Sequence, residues 1–124
     1  VTAGPSTGTQ VASLCRDLEM KTREYDQLAQ ARANAEVDYK SARARRILRA
    51  RAEGSKSIAE AETIAAADPA LETLWRQSLI ADAMVDAAQK SIWALRERIG
   101  YGRSLIATER AADLLQAGGY GGSA

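Results

Sequence analysis

The residues best suited to chemistry are basic and clustered. Between positions 40 and 56 the sequence reads KSARARRILRARAEGSK, seven basic side chains against one acid, Glu53. Guanidinium groups meet phosphate oxygens with paired N–H donors, so such a run suits a nucleic-acid backbone held by salt-sensitive attraction. On a helical projection Arg43, Arg45, Arg46 and Arg49 share one broad arc, opposite Ala44, Ile47 and Leu48. Lys40, Arg51 and Lys56 would assist them. A plainer reading competes, because basic side chains near a helix carboxyl end complement its dipole. Glu60, Glu62 and Glu72 also lie close enough in sequence to neutralise them.

A second cluster is aromatic. Trp75 and Trp93 are 18 residues apart, five helical turns, with Leu79 between them on one side of the same segment. Tryptophan concentrates binding energy at interfaces, so these three residues form a candidate protein-docking side. A covering short helix or amino-terminal arm would account for them equally. Gly100 and Gly102 fall within one turn, which costs a helix about 2 kcal/mol relative to alanine. Close approach of another helix at Gly102, or a kink, would explain the pair. A phosphate-binding glycine loop would not, since no strand precedes it.

Catalysis has little support. The chain contains no histidine, so Cys15, the single cysteine, has no imidazole to activate it. The 16 carboxylates show no metal-ligand spacing, and neither a metal, a cofactor nor a catalytic residue is expected. A non-enzymatic protein is the expectation. The net charge of +1, from 17 basic and 16 acidic side chains, excludes a polyanion mimic and a general polycation.

The elements that must position these residues are helical. Of 57 hydrophobic residues 26 are alanine, and phenylalanine is absent, which favours long helices meeting in thin seams over a thick core. Residues 1–9 (VTAGPSTGT) read as a flexible arm and residues 117–124 (AGGYGGSA) as a disordered tail, bracketing a helical domain over 10–116. A first helix is predicted over 10–52, with a seam at Val11, Leu14, Leu18, Tyr25, Leu28, Ala35, Tyr39 and Ala42. Gly54-Ser55 stops it and restarts a short helix over 56–67. Asp68-Pro69 opens a third helix, over 69–115, with a seam at Leu74, Ser78, Ala81, Val85, Ala88, Ile92, Leu95, Ile99, Gly102 and Ile106. The predicted class is all-α: a long antiparallel helical hairpin, coiled-coil-like, with a short helix at the corner. Its alanine-rich seams favour assembly into a dimer or larger bundle.

Two stretches carry a resemblance. ALRERIGYGRSLIATER (residues 94–110) resembles the closing helix of small all-helical proteins encoded by actinobacterial siphophages near replication and recombination genes, and ARAEGSK (residues 50–56) is similar to their corner. The family has no settled activity. The resemblance implies a phage product beside DNA-handling proteins in a bacterial host cytoplasm. No run of about 20 apolar residues and no basic-then-apolar leader is present, so a cytoplasmic protein without membrane contact is expected.

Two functional expectations follow. The first is a self-associating helical protein that contacts nucleic acid, or a phage or host recombination or replication protein, through its arginine-rich end. The second is a protein-interaction or structural module, a virion component or an inhibitor of a host factor, docking through the Trp75/Trp93 side.

Overall fold

The computed structural model describes residue 4 and residues 6–122, with side chains as far as residue 118. Positions 1–3, 5, 123 and 124, parts of the expected arm and tail, lie outside the described residues. The described chain forms three helices, α1 (Thr7–Ala52), α2 (Ile58–Ala66) and α3 (Pro69–Gly122), and no strand. A long pair and a short element were expected, and the all-helical class is observed.

Local chemistry sets the helix ends. Ser6 caps α1, its Oγ accepting from Thr9 N and its carbonyl from Gln10 N, so the helix starts three residues before the expected position 10. At the other end Gly54 takes φ +106°, and the amides of Ser55 and Gly54 donate to the carbonyls of Ala50 and Arg51. That is the paired bonding of a glycine helix stop. Ser57, not Ser55, then caps α2: its Oγ accepts from Glu60 N, while the Glu60 carboxylate accepts from Lys56 N. The short helix therefore starts at Ile58, where both partners of this reciprocal cap are in reach. Asp68 Oδ1 accepts from Ala70 N at 2.9 Å ahead of Pro69, as the Asp-Pro signal predicts. α3 continues to Gly122, through most of the expected tail. No proline interrupts it, and each glycine costs an existing helix only about 1 kcal/mol.

Two compact units divide the chain, one of Val1–Arg23 with Gln89–Ala124 and the other of Glu24–Ala88. In the first, residues of α1 and α3 meet directly. Thr7 Oγ1 donates to Glu109 Oε1 at 3.2 Å, and a Cβ at Gly102 would sit 2.5 Å from Val11 Cγ2. Ile99 and Gly102 are buried there. The second unit contains α2 and parts of both long helices. Its buried apolar residues are Ala50, Ala61, Ala65, Leu71, Val85 and Ala88, four of six being alanine. Small side chains let three helix backbones approach closely, at the cost of little burial per residue.

Candidate functional site

The basic segment lies in the second unit, and its members meet different fates. Continuing the α1 seam from Tyr39 and Ala42 in steps of four reaches Arg46 and Ala50, which puts Arg46 on the covered side of the helix. Its side chain retains 18% of its exposure, with Nε 3.2 Å from Asp68 Oδ2 and Nη1 3.9 Å from Glu53 Oε2. The expected arc of four outward arginines is corrected accordingly: Arg46 turns inward, and Leu48, expected opposite the arginines, is 69% exposed. The four arginines do share one arc of α1, but the 3-4 repeat through Tyr39, Ala42 and Ala50 covers part of that arc, so Arg46 lies inward while Arg45 and Arg49 stay exposed at its edge.

The remaining cations are closer to the surface. Arg45 is exposed, and its Nε donates to the Ser41 carbonyl at 3.3 Å. Arg49 lies 3.6 Å from Glu53 Oε1, both side chains well exposed. Arg51 Nη1 donates to the Ser55 carbonyl at 3.1 Å, and Lys56 is exposed. Lys40 pairs with Glu36 at 2.7 Å one turn earlier. The hydrogen bond and charge of Lys40, with a smaller share from Arg32, hold the Glu36 carboxyl below the usual glutamate range. Arg43 is half-buried and lines a cavity of about 360 Å³ with Tyr39, Glu62, Glu72 and Trp75.

The acids expected to neutralise the basic run are mostly engaged elsewhere. Glu60 completes the α2 cap, and Glu72 pairs with Arg76 at 2.8 Å. Asp68 and Glu53 serve instead, and Asp68, 22 residues from Arg46 in sequence, is paired with it only by the turn between the helices.

A second cavity, about 300 Å³, is lined by Arg45, Arg46, Arg49 and Asp68 with Leu71 and Leu74. Three arginines and one aspartate thus border one space beside the first turn of α3. Arg46 Nε and Nη1 are buried there without an acceptor in hydrogen-bonding geometry. The Asp68 carboxylate compensates the charge of Arg46 without meeting the direction of its N–H bonds.

The aromatic candidates are exposed within their own units. In the second, Trp75 and Leu79 are 48% and 46% exposed, with α2 residues Glu62, Ala65 and Ala66 sharing the cavity beside Trp75. In the first, Trp93 is 66% exposed. The expected cover by α2 is thus partial at Trp75. In the first unit a groove of about 350 Å³ runs along Thr7, Val11 and Leu14 on α1 and Arg98, Tyr101 and Leu105 on α3.

Among the described residues, no group of three or more His, Cys, Asp or Glu is placed to hold a metal ion. No helix of the described residues is long and apolar enough to cross a membrane. Cys15 is free and half-buried. The chain matches no protein-family model, no curated protein and no solved structure.

Proposed function

We propose that this protein is a non-enzymatic helical binding module that self-associates and docks other macromolecules through exposed helix faces. One observation carries the reading. Among the described residues 13 large hydrophobic side chains are exposed, while the buried apolar set numbers seven, four of them alanine. Leu79, Ile80 and Met84 lie within six residues of one another on α3, each at least 46% exposed. Apolar surface on this scale marks a protein contact, and a second copy is the simplest partner. We further infer that α1 and α3 pair antiparallel within each unit, as in a helical hairpin. The order of contacts supports this: Thr7 meets Glu109 and Val11 meets Gly102, while in the second unit Tyr39 faces the cavity of Trp75 and Arg46 meets Asp68.

Light scattering on the eluting peak of a sizing column tests the reading. The full chain elutes as a dimer or larger species, and Leu79→Glu with Ile80→Glu shifts it toward monomer. A monomer at every concentration, with helicity intact, removes self-association.

A second reading, contact with nucleic acid through the arginine-rich segment, is favoured by Arg45, Arg51 and Lys56. All three are exposed and make no ion pair among the described residues. Neutralising three phosphates would weaken binding about 40-fold over a fourfold rise in salt. A gel shift at low salt that detects no complex eliminates this reading. The resemblance to siphophage proteins makes a phage or host DNA-handling protein the partner to try first, in a bacterial cytoplasm or a virion.

A further inference from the structure

We propose that two copies of this protein pair antiparallel through the outer face of α3, about a twofold axis at the level of residue 81, with Arg76 of each copy meeting Asp86 of the other. The inference deepens the self-association reading and rests on it. What it adds is the face, the direction and the register.

The face follows from helical spacing. In the second unit the covered seam of α3 runs through Leu74, Ser78, Ala81, Val85 and Ala88. On the opposite side Arg76, Leu79, Ala83 and Asp86 follow one another in steps of three, four and three, all of them exposed. That spacing is the repeat by which one helix packs along another, so this part of α3 carries two seams, one covered by its own chain and one open. Ile80 widens the open seam along one edge, and both Leu79 and Ile80 are large apolar groups left facing water.

The occupant follows from charge. Two parallel copies in register would set Arg76 against Arg76 and Asp86 against Asp86, two like-charge contacts. Reversing one copy turns both into attractions. An axis level with residue 81 is five residues from Arg76 and five from Asp86, and two from Leu79 and two from Ala83. A single register therefore matches each arginine with an aspartate and each leucine with an alanine, a large side chain against a small one, and the twofold axis makes every contact twice. An axis level with residue 79 would instead bring Arg76 to Asp82 at the cost of setting Glu72 against Asp86. A pattern that complements its own reverse fits a second copy, whereas a different protein would not require it. The groups involved can take these contacts in addition to those they have. Arg76 Nη2 donates to Glu72 Oε1 at 2.8 Å, and the guanidinium keeps further N–H donors for a second carboxylate. Asp86 also interacts within its own chain, and its two oxygens accept more than one donor.

Charge exchange on the full chain tests the proposal, read by light scattering on a sizing column over a range of concentrations, with circular dichroism to confirm that helicity is kept. Arg76→Glu alone and Asp86→Arg alone should each weaken the dimer about tenfold, since each creates two like-charge contacts. A one-to-one mixture of the two variants should recover it, because every contact in the mixed dimer then joins opposite charges. No change confined to one chain produces that recovery. If either variant fails to fold, Arg76→Gln replaces the pair: salt should weaken the unaltered dimer more steeply than the Arg76→Gln dimer, and equal salt dependence overturns the proposal. A full chain that dimerises, with both exchange variants unaffected, overturns the register and leaves self-association through another face. Weakened variants that stay apart when mixed overturn it as well. A full chain that is monomeric at every concentration removes self-association itself, and this inference with it.

Discussion

The two compact units bring α1 and α3 together by different means. In the first, contact depends on a missing side chain: Gly102 is buried where a Cβ would stand 2.5 Å from Val11 Cγ2. In the second, α2 is added, alanines cover the interior, and a partly buried ion pair joins Arg46 of α1 to the residue that caps α3. One unit relies on steric fit between two helices. The other relies on polar atoms with defined partners, at a place where those partners are incomplete. A fit of shapes can be relaxed by trimming a neighbouring side chain, whereas a buried charge that loses its partner has no comparable remedy. The lesson is that a thin alanine-rich fold has little apolar area to spare, so single atoms decide where its helices hold.

The largest effect should come from the polar side of this comparison. Asp68→Ala removes the cap of α3 and strands Arg46, for a combined loss of about 3 kcal/mol in chemical denaturation. A second change, Arg46→Met, should recover part of it by removing the stranded charge. If the loss is only that of a cap, about 1 kcal/mol, then alanine packing alone holds the second unit and the contrast collapses.

Next comes the steric side. Gly102→Ala should destabilise by about 2 kcal/mol, because the added methyl would stand 2.5 Å from Val11 Cγ2 and force that side chain or its helix to move. Val11→Ala combined with Gly102→Ala should return part of that, and a double-mutant cycle measures the coupling. Additive effects would mean that the two helices do not meet there.

Gly100 supplies the control. A Cβ there meets nothing within 4 Å, so Gly100→Ala should stabilise by about 1 kcal/mol through helix propensity alone. A loss of stability would show that the turn holding both glycines, and not the single contact at Gly102, is what the first unit requires.

The smallest effect concerns an exposed pair. With its folded value depressed by Lys40, the Glu36 carboxyl should titrate below an ordinary glutamate in side-chain carbon NMR. Its contribution to stability is therefore present above the ordinary glutamate range and is lost as pH falls through the depressed folded value. Lys40→Gln should move the titration upward with little change in melting temperature, as expected of an ion pair on a solvated face.

Much of the helical plan was legible from spacing. All ten residues of the α3 seam, from Leu74 to Ile106, lie buried or half-buried, because the 3-4 repeat is a property of one helix and needs no knowledge of its partner. Gly54 and Asp68-Pro69 were readable for the same reason, since caps act within a few residues. Ser55 and Ser57 compete for one cap, and only the reach of Glu60 to Lys56 N decides between them. In the site, the basic run was plain but its orientation was not. Extending the α1 repeat past Ala42 would have found Arg46 on the covered side. Its partner Asp68 would still have gone unnoticed, being already accounted for as a cap.

What the amino-acid sequence determined by itself is therefore local: helical content, the stops, the side of α3 that is covered, and the density of positive charge between residues 40 and 56. Helix propensity, capping and side-chain periodicity act over one or two turns, so they are written into neighbouring residues. Tertiary structure alone decided that Gly102 lies against Val11, that Asp68 serves both the cap and Arg46, and that two donors of Arg46 are buried without acceptors. These depend on distances between residues far apart in the chain, and such distances exist only once the helices have packed.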